Sequence, residues 1–159
     1  MDQMTMQDIQ KANEQFVQSE VRRGVNINRI REIVASLPQP YQEIDSRFLE
    51  EHQAKIDELK SLLDHRGGLH LIGPSRDMLV LARVPGREHL REWDQARSRM
   101  KETDDGTTRD MPLLERAVLY PSIDVVKGWL DHAPGAVTQI AVGLLEIARV
   151  MGDPIVKKL

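Results

Sequence analysis

The chain has 159 residues and no cysteine, with 22 Lys and Arg against 25 Asp and Glu, for a formal charge of −3. That length makes one domain, or one modest domain with an appendage, and it can bury a usable core. At 40% hydrophobic and 30% charged, the composition excludes a disordered tail and a membrane protein, and the near-neutral balance argues against a general nucleic-acid or anionic-membrane binder.

Residues 1–66 carry nine basic and twelve acidic side chains, so the whole net charge sits there; the remainder is balanced. In that first section Thr5 is placed to cap a helix running to about Arg22, with a narrow apolar stripe of Ile9, Ala12, Phe16 and Val17. Gly24 and the Asn26/Asn28 pair mark a break and a new cap. Ile27, Ile30, Val34 and Leu37 then give a second stripe, closed by Pro38 and Pro40. Residues 43–64 predict the clearest helix of the section. Leu49, His52, Ile56, Leu59 and Leu63 recur by three and four, which is coiled-coil spacing, and Gly67-Gly68 stops it. This stripe either packs within its own domain or faces a partner.

The period changes at Leu69. Leu69–Ile72 and Met78–Ala82 flank the turn sequence Gly73-Pro74-Ser75-Arg76-Asp77, which predicts a β-hairpin and the only strands of the chain. A lone hairpin is marginal in water, so it must pack on helices or pair with another strand. Pro85-Gly86 introduces a helix to about Lys101 with Leu90, Trp93, Ala96 and Met100 on one side. A polar loop over 103–108 follows. Pro112 suits the first turn of a short helix that Pro121 ends. Ser122 is placed to cap the next, with Ile123, Val126, Trp129 and Leu130. A final helix over about 136–151 is the most apolar segment and the expected centre of the core, with Leu144 and Leu145 inward beside Trp93 and Trp129. Gly152 and Asp153-Pro154 end it.

No catalytic, cofactor or metal signature emerges. The five histidines (His52, His65, His70, His89, His132) form no i, i+4 pair for a metal, and His89 reads as surface decoration. The carboxylate pairs Glu50-Glu51, Asp57-Glu58 and Asp104-Asp105 are sequence neighbours, which point about a hundred degrees apart on a helix and read as solvated faces. Gly73-Pro74-Ser75 is neither a nucleophile elbow nor a phosphate cradle. Arg22-Arg23 with Arg29 and Arg31 is the one concentrated basic group, and it supports a DNA-binding alternative. Only six aromatics occur, which leaves little to stack on bases or sugars.

The stretch Arg83-Val84-Pro85-Gly86-Arg87-Glu88 followed by Trp93 resembles the strand-end motif of phage tail assembly chaperones. The run Leu114–Pro121, then Trp129-Leu130, Ala133-Pro134-Gly135 and a closing helix with Ile140-Ala141 and Leu144-Leu145 is also similar, over residues 69–152. The family pattern often has a charged residue and a threonine around the proline, where this chain has Val84 and Gly86. Residues 1–66 have no counterpart. The resemblance implies a non-catalytic protein of tail morphogenesis in the host cytoplasm, which holds a tail or baseplate protein before or during polymerisation. The alternatives are a structural tail component and a small DNA-binding regulator.

The expectation is therefore an α+β, mostly α-helical fold. It divides into an N-terminal helical section over 1–66 and a hairpin plus four-helix domain over 67–159. No membrane contact and no cofactor is expected, nucleic acid is disfavoured, and self-association is open. The candidate partner-binding residues are Leu49, Ile56, Leu59 and Leu63 on the helical stripe, with Leu79 and Leu81 on the hairpin.

Overall fold

The computed structural model describes residues 5–39, 41–101 and 106–152, side chains at 107–108 and 149–152 excepted. Among these residues the architecture is mostly helical, with eight α-helices and one three-stranded antiparallel sheet. The chain divides into two compact units, Met1–Leu37 and Pro38–Leu159. The division thus falls earlier than the change of period at residue 67. Residues 41–66 join the sheet-bearing unit because their apolar side chains are needed to cover the sheet.

In the first unit, the Thr5 hydroxyl accepts from Asp8 N at 3.1 Å while Thr5 N donates to the Asp8 carboxylate at 3.2 Å. This reciprocal cap satisfies donors that a helix start leaves open, and it begins α1, Met6–Arg22. Gly24 takes the positive φ of 77° that the connecting turn requires. Asn26 then accepts from Arg29 N at 3.2 Å and caps α2, Ile27–Ala35. Arg31 ties the two helices together, donating to Asn13 at 3.1 Å with its guanidinium 5.2 Å from the Phe16 ring centre.

The second unit opens with Asp45, whose carboxylate accepts from Phe48 N at 2.8 Å and caps α3, Ser46–Glu51. The single helix expected over 43–64 is interrupted at His52, whose backbone (φ −112°, ψ 22°) leaves helical geometry. A separate helix, α4, follows over Gln53–Leu63. The break re-aims α3 so that the Phe48 ring stacks on Tyr120, with centroids 5.4 Å apart. A 3₁₀ turn, Asp64–Arg66, and Gly67 and Gly68 at φ 94° and 84° reverse the chain. Gly68 N donates back to Leu63 O at 3.0 Å.

The hairpin forms as expected from β1, Leu69–Ile72, and β2, Val80–Arg83, paired with Leu71 opposite Leu81. A third strand was not expected. Val118–Tyr120 form β3 rather than the end of a helix, and pair antiparallel with β2, giving the order β1-β2-β3. The reason lies in β2, whose four residues are all buried. A strand buried on both faces needs ladder partners on both sides, and Val118-Leu119-Tyr120 has the β-branched and aromatic character to supply one.

The helices α5, Arg87–Arg99, α6, Gly106–Ala117, α7, Ile123–Trp129, and α8, Pro134–Gly152, complete the unit. Here α6 starts well ahead of Pro112, which lies inside it rather than in its first turn, and the part of the expected loop at 106–108 is helical. A proline there forfeits one helical hydrogen bond. Leu113, Leu114 and Ala117, all buried on its C-terminal side, hold the helix against that loss. The remainder of that loop, Thr103–Asp105, and the Asp153-Pro154 stop lie outside the described residues. Ser122 sits at the N-cap of α7, but its side chain makes no capping bond.

Alternation along the strands sets the two faces of the sheet. Val80 and Ala82 face one core with Leu113, Leu114, Ala117, Val126, Trp129, Val137, Ile140, Ala141 and Leu144, and Ile72, Trp93 and Leu145 pack against it half-buried. Leu81 faces the opposite way, toward α3 and α4, where Phe48, Ile56, Leu59 and Leu63 are buried. Tyr120 locks this side: its hydroxyl donates to Pro38 O at 3.0 Å and accepts from Gln42 N at 3.1 Å. Among the described residues, no helix is long and apolar enough to cross a membrane.

Candidate functional site

Two helical layers press on the sheet, α8 on one face and α4 on the other, and both also reach β1. Because β1 has only one strand neighbour among the described residues, its outer edge lies between them. A cleft of about 630 Å³ opens on the α3–α4 side of this edge, lined by Leu49, Glu50, Ile56, Lys60, Leu69 and Leu71 among others. A second, of about 500 Å³, opens on the α8 side, between Ile72 and Gly73 of the hairpin and Val142, Gly143 and Glu146 of the helix. Leu71 lines both clefts and is 44% exposed; Val142 beside it is 49% exposed.

Gly143 is what lets α8 come this close. A Cβ there would sit 2.5 Å from Cγ2 of Ile72, well inside contact distance. Glycine at this one helical position therefore sets the depth of the second cleft, at the usual cost of glycine within a helix.

Charged side chains line both clefts. The bond from Gly68 N to Leu63 O fixes the end of α4 beside the start of β1, and Lys60 lines the larger cleft. Glu50, on α3 beyond the break at His52, lines the same cleft as Lys60. Glu146 lines the smaller cleft, on the α8 side, together with Leu71, Ile72 and Gly73. The two clefts beside β1 thus carry two carboxylates, Glu50 and Glu146, and one ammonium, Lys60.

The sequence-nominated residues distribute unevenly around this edge. Leu49, half-buried, and Ile56 and Leu81, both buried, line the larger cleft. Leu59 and Leu63 are 0% and 1% exposed; they pack inside the domain and do not face a partner, because the helical stripe is the underside that covers the sheet. Leu79 is half-buried, and its carbonyl accepts from the Tyr41 hydroxyl at 3.3 Å. Sequence reasoning missed Leu71, Val142 and Gly143, and Glu50, Lys60 and Glu146 as charged residues lining the clefts. For Leu71 a signal existed: Leu69-His70-Leu71-Ile72 alternates only partly, as an edge strand covered on both faces but open at its side does.

Other polar groups serve structure. His89 is not surface decoration: it is 4% exposed, and its Nδ1 accepts from Gly86 N at 3.0 Å, capping α5. Buried Asp110 accepts from Trp93 Nε1 at 3.0 Å and from Arg109 Nε at 2.7 Å, joining α5 to α6. That hydrogen bond with the Asp110 carboxylate holds the Arg109 guanidinium above its ordinary pKa. In the basic group of the first unit, Arg29 pairs with Glu32 at 3.1 Å, Arg23 reaches Glu20 at 4.0 Å, and Arg31 is held by Asn13. Among the described residues no three His, Asp or Glu side chains converge as a metal site would need.

The chain matches no protein-family model, no curated protein and no solved structure.

Proposed function

We propose that this chain is a non-catalytic interaction protein that holds another protein through the open edge of β1, and that it does so in phage tail morphogenesis. The observation that carries the reading is the edge itself. A strand with no second strand partner among the described residues, a cleft on each face and a half-exposed leucine at its middle suits strand addition by a second polypeptide. A partner strand gains hydrogen bonds from the backbone and lays alternate side chains into the two clefts. The resemblance of residues 69–152 to tail assembly chaperones supplies the biological setting, with an unpolymerised tail or baseplate protein as the partner.

Co-expression of the full chain with each tail and baseplate protein encoded alongside it tests the reading. The expected result is a stoichiometric complex with one of them that Leu71→Asp abolishes, while the variant keeps its helical circular dichroism. Retention of none of these proteins would contradict it. Finding the chain at fixed copy number in purified particles would instead make it a structural tail component.

A further inference from the structure

Resting on that reading of the edge, we infer that the smaller cleft selects for a cationic side chain. The occupant is an extended segment of the partner with Lys or Arg on the side that faces α8 and an apolar residue on the side that faces α3 and α4.

The stripe of α8 that lines the smaller cleft includes Gln139, Val142, Gly143 and Glu146, which recur by three and four and so share one side of the helix. The hairpin supplies Leu71, Ile72 and Gly73, none of them charged. Among the described lining residues Glu146 alone carries a charge, and it is exposed. Val142, next to it on the helix surface, is 49% exposed, and half-buried Ile147 lines the cleft as well. A long basic side chain suits both features. Its methylene stem lies along the apolar groups while its cationic head stays in water beside the carboxylate. An acidic side chain brought to the same place is repelled. The larger cleft differs: Glu50 and Lys60, of opposite sign, stand around Leu49, Ile56, Leu69 and Leu81. It therefore has little preference for either charge and takes apolar side chains. Residues of an added strand alternate between the two faces whichever way the strand runs. The two clefts thus constrain the composition of each side of the segment and not its direction.

Fluorescence anisotropy of three labelled peptides with the full chain tests this. Each has Val at alternate positions and capped ends; between the valines one carries Lys, one Thr and one Glu. The Lys peptide is expected to bind about fivefold more tightly than the Glu peptide, with the Thr peptide between them, since an exposed ion pair is of modest strength. E146K should reverse that order, whereas E50K, at the larger cleft, should leave it in place. The pair of variants separates a local effect from the general pull of a chain whose formal charge is −3, which would respond alike to both. Glu146 and Glu50 are exposed, and circular dichroism checks that each variant keeps its fold. Leu71→Asp should abolish binding of all three peptides. No binding of the Lys peptide, equal binding of all three, binding that survives Leu71→Asp, an order that survives E146K, or one that E50K also reverses would overturn the inference. So would a chain that is already dimeric by light scattering through an interface lost in Leu71→Asp, because a second copy would then be the occupant. The two readings fail separately. A tail protein retained through Leu71 with no preference for the Lys peptide leaves the function standing and removes this inference. A Lys preference that depends on Glu146, without any retained tail protein, does the reverse.

Discussion

Leu144 has no exposed surface and sits at the centre of the principal core, between the sheet and α6 and α7. Truncation to alanine removes its transfer energy and leaves a cavity, so Leu144→Ala should cost about 2–5 kcal/mol of unfolding free energy in denaturant melts. A loss below about 0.5 kcal/mol, the range of surface substitutions, would remove it from the core. Tyr41 gives a second residue-scale prediction, in pH. Burial, opposed by a backbone hydrogen bond from Ile44 and reinforced by Tyr120, Glu43 and Asp77, raises its hydroxyl above the ordinary value of 10.0. The unfolded chain then surrenders this proton first. The stability that this contributes is fully present below pH 10 and is lost as pH rises from there through the native value. Tyr41→Phe should therefore flatten the alkaline loss of stability. At neutral pH it should cost about 1 kcal/mol for the bonds to Asp77 O and Leu79 O. A variant that loses stability above pH 10 as steeply as the parent would contradict the assignment.

At the scale of elements, the contact between α8 and β1 depends on one missing methyl group. Gly143→Ala gains about 1 kcal/mol in helix propensity, yet it must push Ile72 or the helix aside, at about 1–3 kcal/mol. The net expectation is a destabilised protein, and pairing the change with Ile72→Ala should recover part of the loss relative to Ile72→Ala alone, which a double-mutant cycle measures. Additive effects would show that the two side chains do not meet. This scale is also where the sequence was most and least legible. Caps and stops at Thr5, Asn26 and Gly67, the hairpin, and the four helices after it follow from local chemistry that acts within a few residues. The break at His52 and the strand at Val118–Tyr120 do not, because each is imposed by distant partners: Phe48 turns toward Tyr120, and β3 completes the ladder of β2. Periodicity likewise identified the stripe Leu49, Ile56, Leu59 and Leu63 as apolar without telling which neighbour covers it. The candidate site lies at an edge where residues from three separate stretches meet, and spacing along one chain segment does not reveal such a meeting.

At the scale of the whole molecule, the second unit is a small sheet clamped between helices, with β2 paired on both sides and β1, among the described residues, paired on one side only. Proteins commonly blunt such edges with charge, short length or cover, since an open edge invites pairing. Here the strand is short and charged side chains line the clefts beside it, but its middle carries exposed Leu71 between the two clefts. That combination favours selective pairing over sealing. The most direct measurement of this account is amide hydrogen exchange of the full chain, alone and with the tail protein that co-purifies with it. The account predicts slowed exchange at residues 69–72 on complex formation, with α7 unchanged. A complex that forms while the β1 amides exchange as fast as in the free chain would contradict it.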